Sequence, residues 1–177
     1  WYKLSAEQSQ ADAQNELGDM FYFGKGMPQN YQEALKWYRL SAEQGNAMAQ
    51  YNLGWMFDEG IGVDENKEEA SKWYNLSAEQ GDANAQNELG DMFYFGGGVP
   101  QNDQEALKWY QLAANQGNAS SQFSIGLIYD LGRGVTENDQ EAANWYKQSA
   151  EQRFPPAQYL LADMYYYGLG VPQNYQK

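Results

Sequence analysis

The stretch Leu53-Gly54-Trp55-Met56-Phe57-Asp58-Glu59-Gly60-Ile61-Gly62-Val63, followed by Ala70-Ser71-Lys72-Trp73-Tyr74 and Ala78, decides how this chain reads. Thirty-six residues away in either direction the same words return. Trp-Tyr stands at 1, 37, 73, 109 and 145. Gly-x-Gly stands at Gly24/Gly26, Gly60/Gly62, Gly96/Gly98, Gly132/Gly134 and Gly168/Gly170. Leu-Gly recurs at Leu17-Gly18, Leu53-Gly54 and Leu89-Gly90, with Ile125-Gly126 and Leu161-Ala162 as variants. Several independent registers at one period define a tandem repeat. Residues 13–48 and 85–120 match at 29 of 36 positions, whereas 49–84 differs more, as if a two-repeat block had been duplicated.

Each repeat reads as two helices. In the first, Ala13, Leu17, Met20, Phe21 and Gly24 share one face at i, i+4, i+7, i+8 and i+11. The Gly-x-Gly step ends it, because glycine takes the left-handed conformation that closes a helix. The second starts at Asn30, where Asn30 and Glu33 resemble a capping box, repeated at Asn66/Glu69, Asn102/Glu105 and Asn138/Glu141. It carries Ala34, Trp37, Tyr38 and Ala42 and ends near Gly45. Asn46, Asp82 and Asn118 are placed to cap the next first-type helix. Gly18, Ala34 and Ala42 are expected to let helix backbones approach, with Leu17, Trp37 and Tyr38 filling the space between repeats. The whole of 1–177 is expected to be one array, with full repeats at 13–48, 49–84, 85–120 and 121–156 and partial ones at 1–12 and 157–177.

Composition narrows the function. Cysteine and histidine are both absent, which removes disulfides, thiolate chemistry, the commonest general base and the commonest metal ligand. A net charge of −13 argues against nucleic acid and against an anionic membrane surface. No apolar run approaches the ~18–20 residues of a membrane span. A basic protein or peptide is the partner class that the charge favours. No cofactor is expected. Gly-x-Gly lacks the third glycine or Gly-Lys-Ser/Thr of phosphate loops and reads as a turn. Asp58 to Glu69 lacks the spacing of a calcium loop.

Leu53, Gly54, Phe57, Gly60, Gly62, Val63, Ala70, Trp73, Tyr74, Ala78 and Gly81 together resemble the Sel1-like repeat family, and the resemblance runs the length of the chain. Tetratricopeptide repeats are the near neighbour but have a 34-residue period. The resemblance implies an all-α fold, a right-handed α/α superhelix or solenoid, with a concave face lined by first-type helices. It also implies adaptor or scaffold work in macromolecular complexes, ranging from the bacterial envelope to the eukaryotic endoplasmic reticulum. The chain departs from the pattern where Arg153-Phe154-Pro155-Pro156 replaces Gly-Asn-Ala, where Ser9 replaces that glycine, and at Leu161-Ala162. The late junctions are therefore expected to bend differently. The chain opens inside a second-type helix and closes at Tyr175-Gln176-Lys177 without polar caps, so a fragment of a longer array, or self-association through the end repeats, is expected.

Positions that stacking leaves unconstrained are where binding can be encoded. Opposite the core, the first-type helices carry Asn15, Asp19 and Tyr22; Tyr51, Trp55 and Asp58; Asn87, Asp91 and Tyr94; Phe123, Leu127 and Asp130; and Tyr159, Asp163 and Tyr166. From this stripe Asp19, Tyr22, Tyr51, Trp55, Asp58, Asp91, Tyr94, Phe123, Asp130, Tyr159, Asp163 and Tyr166 are the candidate partner-binding residues. Phe23, Glu59, Phe95, Leu131 and Tyr167 flank it, and their aromatics are expected either to anchor a partner or to pack between adjacent first-type helices. These helices hold eight carboxylates and no Lys or Arg, while all eleven basic residues sit in turns or second-type segments. A groove for a basic segment with apolar anchors is the leading expectation. A hydrolase or inhibitor-like activity on cell-wall glycans or β-lactams is the alternative, although the chain has no Ser-x-x-Lys. A structural spacer is the third reading.

Overall fold

The computed structural model describes residues 10–174. Expectations placed on the two ends, Ser9 included, concern residues 1–9 and 175–177, outside the described residues. Among the described residues there are nine α-helices and no strand. The first-type helices are α1 (Ala11–Phe23), α3 (Ala47–Asp58), α5 (Ala83–Phe95), α7 (Ala119–Asp130) and α9 (Pro155–Tyr167). The second-type helices are α2 (Tyr31–Ala42), α4 (Lys67–Glu79), α6 (Asp103–Asn115) and α8 (Asp139–Glu151). They group into two compact units, Trp1–Ala85 with Gly97–Val99, and Gln86–Gly96 with Pro100–Lys177.

The capping residues act largely as the sequence predicts. The Asn30 side chain accepts from the amides of Gln32 and Glu33, Asn102 from those of Gln104 and Glu105, and Asn66 and Asn138 from the single amides of Glu69 and Glu141. Asn46, Asp82 and Asn118 accept from Ala49, Ala85 and Ser121. The capping box is only half built, however. Asn30 gives its own N–H to the Phe21 carbonyl at 2.9 Å, and Asn138 gives its N–H to Tyr129, also at 2.9 Å. The N3 glutamate therefore has no donor to reach back for. Glu69 instead accepts from the Trp73 indole at 3.1 Å and pairs with Lys72. This amide-to-carbonyl bond ties the start of each second-type helix to the end of the helix before it.

The glycine of each Leu-Gly step has a different reason from close backbone approach. A Cβ on Gly18 would stand 2.5 Å from the Tyr38 ring, and one on Gly54, Gly90 or Gly126 would meet Tyr74, Tyr110 or Tyr146 similarly. The tyrosine of Trp-Tyr thus lies on the bare backbone of its own repeat's first helix, rather than between repeats. Gly62 is pressed against Tyr31 of the preceding repeat, and Gly134 against Asp103, so the second glycine of the turn is an inter-repeat contact as well as a turn residue.

Polar ladders run through the core beside the apolar positions. Gln44, Gln116 and Gln152 donate to the side chains of Gln14, Gln86 and Gln122. Ser41, Ser77 and Ser149 donate to the carbonyls of Ala11, Ala47 and Ala119. Every such bond spans 30 residues and joins the two helices of one repeat, which fixes the register of each second-type helix against its own first-type helix. Buried polar atoms stabilise a fold only when partnered in this way. The Arg153 junction does not bend differently. Arg153 takes φ 64°, the left-handed seat held elsewhere by Gly45, Gly81 and Gly117. Phe154 N–H still bonds the Ser149 carbonyl, as Asn118 N–H bonds Ala113.

Candidate functional site

The free surface of each unit follows from which face the tyrosine and glutamine contacts consume. In the first unit, Asp19 lies on α1 one residue past Gly18, within reach of the tyrosine that stacks on that glycine. Its Oδ1 accepts from the Tyr38 hydroxyl at 2.6 Å. Burial, reinforced by that carboxylate, pushes the Tyr38 phenol well above its ordinary range, so the hydroxyl stays a donor. Tyr22 stands one turn further along α1. Its ring meets Tyr31 edge-on at 5.4 Å and Tyr38 at 6.5 Å. From the next first-type helix, Tyr51 packs on Tyr74 at 5.8 Å, and Trp55 is half-buried one turn later. A cleft of about 250 Å³ opens between α1 and α3, lined by Asp19, Tyr22, Phe23, Tyr38, Tyr51, Asn52 and Trp55. The structure thus brings four of the predicted residues, Asp19, Tyr22, Tyr51 and Trp55, to one concavity. Asp58 is not among the lining residues. Lys67 holds its carboxylate at 2.8 Å, a contact that raises the lysine's pKa.

The second unit treats the equivalent positions differently. Tyr94 is only 8% exposed and belongs to the apolar core with Tyr110 and Ile128. Arg133 covers it, with the guanidinium 3.7 Å from the ring centroid. The same guanidinium donates to the Tyr94 carbonyl at 3.2 Å and binds both oxygens of Asp103, at 2.6 and 3.3 Å. Asp91 accepts from Tyr110 at 2.5 Å, and Asp130 from Tyr146 at 3.1 Å. Phe123 is half-buried against Tyr146 and Phe154, at 5.7 and 5.5 Å. Tyr159 and Tyr166, by contrast, are 67% and 53% exposed on α9, with Asp163 partly exposed between them.

Two expectations about the stripe are corrected. Asn15 and Asn87 do not face outward. Both are buried, accepting from Asn52 and Ser121 respectively, because this register points at the next first-type helix. The flanking aromatics do not pack between first-type helices. Phe23 is 59% exposed and Phe95 74%, with Leu131 and Tyr167 also open; they sit on the last helical residue or just after it, and Phe23, Phe95 and Tyr167 pack edge-on against Tyr22, Tyr94 and Tyr166 of their own helices. The guanidinium on Tyr94 was not visible in the sequence. Its only signal is that Arg133 stands where the other repeats carry Lys25, Ile61, Gly97 and Leu169.

This geometry is that of an all-helical repeat protein whose conspicuous residues serve stacking and whose remaining aromatics line its first-type helices. A family model for the Sel1 repeat matches residues 11–46, 47–82, 83–118, 119–154 and 155–177, and the chain belongs to the Sel1 repeat family. Sel1 repeat proteins are generally protein-interaction scaffolds. Among solved structures, c5321, described as a protective antigen of uropathogenic Escherichia coli strains displaying an SLR fold, is 43% identical. It has a TM-score of 0.96 over 99% of this chain, which spans only 38% of that protein. A Sel1 repeat protein from Oxalobacter formigenes is 40% identical, with TM-score 0.89, over 94% of this chain and 69% of its own. A putative Sel1 repeat protein from Klebsiella pneumoniae shares 24% identity at TM-score 0.64, over 99% of this chain and 85% of its own, a likeness of fold alone. Comparison with curated proteins finds no match. No helix of the described residues is long and apolar enough to cross a membrane.

Proposed function

We propose that this chain is a binding module that captures a basic segment of a partner protein on the acidic, aromatic surface of its first-type helices. The cleft between α1 and α3 carries the reading, because it unites an aspartate with aromatic side chains from two successive repeats. The exposed Tyr159 and Tyr166 on either side of Asp163 repeat the same chemistry on α9. Aromatics are favoured as anchors because they bury much area at little entropic cost. The absence of Lys and Arg from these helices favours a cationic partner over an anionic one.

Binding suits the carboxylates better than turnover. Asp58 is held by Lys67, and Asp19, Asp91 and Asp130 each receive a tyrosine hydroxyl, so these groups act as structural acceptors. Panning a random-peptide display library on the protein tests the reading. Enriched peptides are expected to be basic, with one or more apolar residues, and to lose at least tenfold in affinity with Trp55→Ala or with Tyr166→Ala. Enrichment of acidic peptides only, or affinity unchanged by both substitutions, sinks it.

A further inference from the structure

We infer that the cleft between α1 and α3 is a subsite for a single arginine side chain of the partner, whose guanidinium lies among Tyr22, Tyr51 and Trp55 and is hydrogen-bonded by Asp19. The inference rests on the binding reading above and adds the chemistry of one anchor.

Size is the first argument. About 250 Å³ lies just below the range of pockets that take drug-sized ligands, so it suits one side chain. Lining chemistry is the second. Aromatic faces attract a cation through their quadrupole, most strongly for tryptophan, and a flat guanidinium gains stacking besides. Asp19 supplies the charge. Its Oδ1 accepts a hydrogen bond from the Tyr38 hydroxyl, and among the described residues Oδ2 has no donor. A guanidinium has fixed edge donors for such an oxygen, which an ammonium presents less directionally.

The third argument lies within the chain itself. Two repeats further on, at the position equivalent to Tyr22, the protein lays its own Arg133 on the Tyr94 ring at 3.7 Å and pins it with Asp103. The tyrosine at that repeat position can therefore carry a guanidinium. Counted from Tyr22, the residues matching Arg133 and Asp103 are Ile61, in the following repeat, and Tyr31, neither of which is cationic or lines the cleft. No lysine or arginine lines the α1–α3 cleft; Lys25 lies over the ring of Phe23, 4.7 Å from its centroid, and is not among the lining residues.

The test uses the whole chain and two small probes, Nα-acetyl-arginine amide and its neutral isostere Nα-acetyl-citrulline amide, at constant ionic strength. The reporter is the Trp55 indole N–H cross-peak, assigned by its disappearance in Trp55→Phe. The arginine probe is expected to shift that peak saturably, and citrulline to bind at least tenfold more weakly. Asp19→Asn keeps an acceptor for Tyr38 and should weaken the arginine probe three- to tenfold with the melting temperature held. Equal response to both probes, no response at Trp55, or an Asp19→Asn variant that binds as wild type overturns the inference. If library peptides bind and depend on Tyr166 but not on Trp55, the arginine subsite fails while the broader reading stands.

Discussion

Gly90→Ala sets two effects of opposite sign against each other. Helix propensity alone favours alanine by about 1 kcal/mol inside a helix. The new Cβ, however, would stand 2.6 Å from Cδ1 and Cε1 of Tyr110 and 3.1 Å from Cγ. Carbon contacts are comfortable near 3.5–4.0 Å, so the ring must retreat by about 1 Å. It has little room, being 1% exposed and held at its hydroxyl by Asp91 at 2.5 Å. Overpacking of this kind costs about 1–3 kcal/mol, and loss of a hydrogen bond to a charged acceptor costs about 1.5–3 kcal/mol more. After the propensity gain, the net loss is about 1.5–5 kcal/mol, a fall in Tm of roughly 3–20 °C for a chain of this size. Thermal melts followed by circular dichroism, run as a double-mutant cycle with Tyr110→Ala, read it out. With the ring gone, Gly90→Ala should become neutral or stabilising. A single variant that melts at or above wild type would refute the stacking account of the Leu-Gly step.

The buried phenols give the protein an alkaline limit. Tyr38, Tyr110 and Tyr146 are pushed upward by burial and by Asp19, Asp91 and Asp130. Their folded pKa exceeds the unfolded value of about 10, so their stabilising share is complete below pH ~10 and is lost as pH rises above it. Absorbance at 295 nm should show these phenols titrating only as the helices melt; complete titration of the folded protein would contradict it. Arg133→Met should cost about 1–2 kcal/mol by urea unfolding, because it removes a partly buried bidentate pair and a ring contact, while Lys67→Met, more exposed, should stay within about 1 kcal/mol. Equal effects would refute the distinction. Leu53→Ala, in a fully buried position, should cost about 2–5 kcal/mol, and an unchanged melt would contradict the core assignment.

The helices, their caps and the period were legible because each depends on local chemistry that recurs every 36 residues. Asn30, Gly24 and Leu17 announce a start, an end and a core face. The glutamine and serine ladders were equally periodic, yet polar residues at a fixed spacing do not reveal whether they point inward. Gln14 is buried only because Gln44 arrives from the other helix to satisfy it. Among site residues, Asp19, Tyr22, Tyr51 and Trp55 converge on one cleft, since a 36-residue period carries a helix face faithfully from repeat to repeat. Tyr94 escaped that logic. It packs in the apolar core and is covered by Arg133, 39 residues away, which no helical periodicity connects to it.

The central claim is that partners dock on the first-type helices. Mapping backbone amide shifts of the labelled protein on adding the tightest library-selected peptide tests it most directly. The account predicts that the largest shifts fall on α1 and α3, around Tyr22 and Trp55, or on α9 around Tyr166, with the outer residues of α2, α4, α6 and α8 little changed. Shifts concentrated on those second-type helices, with the α1–α3 cleft and α9 silent, would contradict it.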